Sequence, residues 1–86
     1  MQKKFLSFPC QFPIKIIGFA NDAFLGIVVE ILNQHVPDLG EGAIVLKESA
    51  GGKYVSITAT IRAKSQEQLD ALYQALSQDP RILVVL

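Results

Sequence analysis

Cys10 and His35 are the only thiol and the only imidazole in the 86 residues, so nucleophilic, redox or metal chemistry would have to run through one of them. A reactive cysteine needs a cation or a helix terminus nearby to favour its thiolate. Cys10 sits between Pro9 and Pro13 in Phe8-Pro9-Cys10-Gln11-Phe12-Pro13, a setting that reads as packing. His35 precedes Val36-Pro37 and reads as the end of a helix, where its positive form interacts favourably with the helix dipole. No second cysteine or histidine completes a metal set, and the Cys-x-x-Cys of metal carriers is absent. Glu67 and Asp70 belong to the solvated face of an amphipathic stretch, which leaves general acid–base work unsupported. No cofactor, no metal and no catalytic residue are expected.

A different kind of site is suggested by Gly18-Phe19-Ala20-Asn21-Asp22. Gly18, Asn21 and Asp22 combine a glycine, free amides and the start of a helix, which suits a carboxylate or another small anion. The same residues also make an ordinary strand-to-helix turn. No arginine lies in this turn, so the phosphate cradle of small acylphosphatase-like enzymes is missing. RNA binding on such a scaffold needs stacking rings on exposed central strands. Tyr54 qualifies, whereas Phe12 falls on an apolar face and Ser56 and Thr58 offer hydroxyls instead. Eight basic residues balance eight acidic ones, so no net field draws the chain to nucleic acid or to an anionic membrane. An acylphosphatase-like enzyme and an RNA-binding protein remain the alternatives to a binding module.

The elements that would position these groups follow from periodicity. Phe12, Ile14 and Ile16 alternate with Pro13, Lys15 and Ile17 up to Gly18, a strand after an irregular lead-in over 1–10. Asn21 or Asp22 caps a helix whose apolar face is Phe24, Leu25, Val28, Ile31, Leu32 and His35, and Pro37 ends it. Residues 38–42 read as a loop and Ala43 to Glu48 as a strand. Ser49-Ala50-Gly51-Gly52 forms a hairpin turn. Val55, Ile57, Ala59 and Ile61 then alternate with hydroxyl-bearing neighbours. Ser65 with Gln68 has the form of a capping box, and Leu69, Leu72, Tyr73 and Leu76 make the stripe of a second helix. Asp79-Pro80 breaks it, and Ile82 to Leu86 is a last apolar strand.

One domain over 1–86 follows, since so short a chain supports one core. The order strand, helix, strand, strand, helix, strand predicts an α+β, ferredoxin-like sandwich. It has a four-stranded antiparallel sheet of order 4-1-3-2 and both helices on one face. The other face is left open, with Lys15, Ile17 and Thr58 on it and Leu83 and Val85 beside them. An uncharged apolar last strand at the sheet edge invites a partner, either a second copy in a weak homodimer or another protein. No stretch reaches membrane-spanning length, and Met-Gln-Lys-Lys-Phe-Leu-Ser is too short in its apolar part for a signal peptide. With a single cysteine, a cytoplasmic location is expected.

Phe8-Pro9-Cys10-Gln11-Phe12-Pro13-Ile14-Lys15-Ile16-Ile17-Gly18, His35-Val36-Pro37, Gly52-Lys53-Tyr54-Val55-Ser56-Ile57-Thr58 and Val85-Leu86 together resemble the YbeD-like family of small bacterial proteins. The resemblance runs from Phe8 to the C-terminus. It implies a fold close to the ACT regulatory domains, which bind small effectors at subunit interfaces. It also implies a regulatory link to lipoate or other central metabolism, with a small-molecule effector or a metabolic enzyme as partner. The family supplies no catalytic residues to carry over.

Overall fold

Along Tyr54–Ala63 the odd-numbered side chains are buried and the even-numbered ones are not, which is what a strand covered on one face requires. The computed structural model describes residues 8–37, 39, 43–49 and 51–86. Its elements are β1 (Cys10–Phe19), α1 (Phe24–His35), β2 (Ile44–Glu48), β3 (Tyr54–Ala63), α2 (Gln66–Gln78) and β4 (Ile82–Val85). The sheet is antiparallel with order β2-β3-β1-β4, the expected 4-1-3-2 read from the other edge. The ferredoxin-like α+β fold is therefore the observed one.

The core lies between the helices and one sheet face. Ile14 and Ile16 of β1 and Val55, Ile57, Ala59 and Ile61 of β3 meet Phe24, Val28 and Leu32 of α1 and Leu69, Leu72 and Leu76 of α2. Phe12 and Tyr73, both expected in the core, close its margin as a half-buried edge-to-face pair with centroids 6.5 Å apart. Leu25 departs from the expected apolar face of α1 and is exposed. Val36, just past the helix, is buried and ties the chain back through its N–H to the Leu32 carbonyl at 2.7 Å.

The capping box forms with a variation. Ser65 Oγ accepts from the Gln68 N–H at 3.1 Å. The Gln68 side chain reaches back one residue further than the usual box, its Oε1 accepting from the Lys64 N–H at 2.6 Å. Its Nε2 donates to the His35 carbonyl at 2.8 Å. One glutamine thus joins the start of α2 to the end of α1. The hairpin is closed by Gly51 and Gly52, whose φ of 91° and 69° belong to the region that favours glycine.

Three boundaries differ from expectation. The expected lead-in ends sooner, because Cys10 already pairs with Ala63; residues 1–7 lie outside the described residues. β1 runs through Gly18 to Phe19, which pairs with Tyr54. β2 starts at Ile44 rather than Ala43. Of the loop expected over 38–42 only Leu39 is described, and Ala50 of the expected hairpin turn also lies outside the described residues.

Candidate functional site

In the turn from β1 into α1, Gly18 and Asn21 are engaged by the fold itself. Gly18 is buried, and a Cβ there would clash with the Phe24 ring, coming 2.6 Å from its Cζ, and lie 2.9 Å from the Arg81 carbonyl oxygen. The glycine lets α1 pack down on the strand; it leaves no space above itself. Asn21 Oδ1 accepts from the Ala23 N–H at 2.7 Å, and the Asn21 carbonyl accepts from the Phe24 N–H at 3.0 Å. Asn21 therefore caps the turn before the helix, while the position preceding Phe24 is Ala23, which has no capping side chain. The adjoining cleft, about 350 Å³, is lined by Asp22 and Glu48 together with Leu25 and Leu46. Two carboxylates at its wall oppose a carboxylate ligand.

Cys10 and His35 sit where their bland readings put them. Cys10 is half-buried at the start of β1 and packs against the core, and His35 is the basic residue of the last turn of α1. Arg81 comes close to the same turn but is engaged by Asp79, with Nε and Nη2 donating to its two carboxylate oxygens at 2.8 and 2.6 Å. These bonds hold the Asp79 carboxyl down at about 2. Burial pushes the Tyr73 phenol up, and its hydroxyl donates to the Leu86 carbonyl at 3.2 Å. Among the described residues no group of three or more His, Cys, Asp or Glu side chains could hold a metal.

The open sheet face is the region with unspent binding capacity. The register sets it out as a grid. One row is Lys47, Ser56, Ile17 and Val84, and the next is Val45, Thr58, Lys15 and Leu86. Where β1 ends and β3 begins, Phe19 and Tyr54 stack on one another, centroids 5.5 Å apart and planes at 25°. Both rings stay open to solvent, at 56% and 40%. Lys15, Ile17, Lys47, Tyr54 and Ser56, with Glu48 at the border, line a shallow depression of about 200 Å³ in this grid.

Lys15, Ile17 and Thr58 lie on this face as expected. Val85 does not. A bulge between Ile17 and Gly18 pairs Gly18 with Ile82 but Ile17 with Val84, so Leu83 is the extra residue. Val85 then pairs with Ile16 and packs half-buried against the core, and Val84 takes the open face in its place. A one-residue slip exchanges the faces of a strand, and the uniformly apolar Ile82–Val85 carries no mark of it. Phe19 was missed for a related reason: a glycine reads as a strand end, and here the strand continues past it.

A four-stranded antiparallel sheet with two helices on one side is the architecture of the ACT-type ferredoxin fold. Solved structures agree. The ACT domain from the GTP pyrophosphokinase of Chlorobium tepidum superposes with a TM-score of 0.69 over 90% of this chain and 97% of its own, at 18% identity. Protein HP0495 from H. pylori gives 0.72 over 94% and 85%, at 17% identity. The sequence itself matches the family described as protein of unknown function DUF493 over residues 3–86. The chain is 40% identical over 85 residues to a UPF0250 protein of Chromobacterium violaceum, covering 99% of this chain and 96% of the relative. It is 43% identical over 81 residues to one of Janthinobacterium sp., covering 94% and 89%. The chain belongs to this DUF493/UPF0250, YbeD-like family, as its motifs indicated.

Proposed function

We propose that this chain is a non-catalytic regulatory module that works by binding through the open face of its sheet. One observation carries the reading: Phe19 and Tyr54, and beside them Ile17 and Val84, lie together on the sheet face opposite the two described helices. Contiguous exposed apolar and aromatic surface is costly to leave wet and characterises sites of association. The fold shared with an ACT domain supports a regulatory role. The metabolic link that the resemblance implies would make a metabolic enzyme in the cytoplasm the partner.

The test compares Phe19→Ala with Tyr54→Ala, and Cys10→Ser with His35→Gln, in competitive growth of a strain that depends on the protein. Variants of the ring pair should lose fitness while unfolding at nearly the parental temperature. The Cys10 and His35 variants should behave as the parent. Loss of function in a well-folded Cys10→Ser or His35→Gln protein, with the ring variants active, would overturn the reading.

A further inference from the structure

The zero net charge of the sequence conceals a separation of charge across the fold. Among the described residues, the charged side chains that the register places on the open sheet face are Lys15, Lys47 and Arg62, and the one carboxylate at its border is Glu48, whose register position faces the helix side. None of the three makes an ion pair or a side-chain hydrogen bond within the described fold. The other described carboxylates are Asp22 in the turn before α1, Glu30 on α1, Glu67 and Asp70 on α2 and Asp79 beyond it, and the partner of Glu48, Val55, is buried under the helices. We propose that the open face docks an acidic, partly apolar segment of another protein. This inference rests on the binding reading given above and names the chemistry of its partner.

Charge complementarity argues for that occupant. Strand spacings of about 4.8 Å and a rise of about 3.4 Å per residue set Lys15 and Lys47 roughly 12 Å apart on diagonal corners of the grid. Ser56 and Thr58 lie between them as hydroxyl donors, Ile17 and Val45 fill the remaining two corners, and Val84 extends the row beyond Ile17. A segment whose carboxylates alternate with aliphatic side chains meets both features at once. Lysines without internal partners lose no existing ion pair when they engage it. Single-stranded RNA fits less well. Phe19 and Tyr54 turn ring faces toward each other rather than toward an incoming base, and the aliphatic corners offer nothing to a sugar–phosphate backbone.

Selection of random peptides displayed on phage against the full chain, with a parallel selection from random RNA, tests this directly. Amide chemical-shift mapping then locates the binders. Enriched peptides should combine Asp or Glu with aliphatic residues, perturb β1 and β3, and bind less tightly as salt rises. Lys15→Glu with Lys47→Glu should weaken them by about tenfold or more by setting like charges against each other, whereas Glu67→Lys on α2 should not. Circular dichroism melting of each variant separates lost binding from lost folding, and Lys15→Gln with Lys47→Gln serves if the reversed pair unfolds. Peptides that map to the open face without an acidic preference overturn the acidic assignment and leave the binding reading standing. Binders confined to the helices, or no peptide binder at all, overturn both. Enrichment of RNA on the face, or a self-association in sedimentation that buries it, overturns the choice of partner.

Discussion

Ile16 and Ile17 are neighbours in the chain, yet one is sealed beneath the helices and the other looks out from a bare sheet face. The same alternation runs through β3, where Val55, Ile57, Ala59 and Ile61 turn in and Tyr54, Ser56, Thr58 and Thr60 turn out. The inner face is closed by apolar contacts among side chains that all have partners. On the outer face, among the described residues, Lys15 and Lys47 make no ion pair and the stacked rings of Phe19 and Tyr54 stay open to solvent. The strands serve stability with one half of their residues and leave the other half free for recognition, so the two sets should respond differently to substitution.

The largest expected effect is on the inner side. Leu72 of α2 is fully buried against the sheet, and Leu72→Ala should lower stability by about 2–5 kcal/mol through lost contacts and a residual cavity. Urea unfolding measures it, and a midpoint equal to the parent's would refute the assignment of the core. Gly18→Ala comes next. It adds a methyl group where the Phe24 ring and the Arg81 carbonyl already touch the strand, and the overpacking should cost about 1–3 kcal/mol. A stabilised variant would show that α1 is not seated as described.

A pair of adjacent valines sharpens the comparison further. Val85→Lys removes a half-buried contact with the core and should cost about 1–2 kcal/mol. Val84→Lys, on the open face, should stay within about 0.5 kcal/mol of the parent. The reverse order in thermal melts would mean that the bulge between Ile17 and Gly18 is absent and that Val85 faces out, as the bare alternation of the last strand predicts.

Much of the inner face was legible in the sequence because burial writes itself as a period. Val55 to Ile61 could be read as alternation, and Ser65 with Gln68 as a helix start, because each signal is local. The outer face was legible only in part. Lys15, Ile17 and Thr58 followed from register with the buried residues. Val84 did not, because a bulge shifts register without changing composition. Phe19 was hidden behind Gly18, whose small size serves the approach of Phe24 and not a turn. The separation of charge is invisible in a sum of charges, since it arises only when β1, β2 and β3 align Lys15, Lys47 and Arg62 on one face while α1 and α2 carry Glu30, Glu67 and Asp70 on the other side of the sheet.

The smallest expected effect concerns that separation. Arg81 is a cation with an internal partner, whereas Lys15 and Lys47 have none among the described residues. The hydrogen bonds from Arg81 hold Asp79 at about 2 in the folded protein, below the value of about 3.9 for an unfolded aspartate. A lowered folded value means that the stabilisation is fully present above the unfolded value and is lost as pH falls through about 2. Asp79→Asn should therefore be less stable than the parent near neutrality, and the gap should close between about pH 4 and pH 2. Lys15→Gln and Lys47→Gln should leave the acid limb of the stability profile unchanged, because no carboxylate among the described residues pairs with them. Melting temperatures of the parent and the three variants across that range decide the matter. A gap for Asp79→Asn that persists at pH 2 would mean that the pair with Arg81 is not what lowers the Asp79 carboxyl, and an acid limb altered by Lys15→Gln would mean that the cations of the open face are already engaged by the chain itself and are not free to receive a partner.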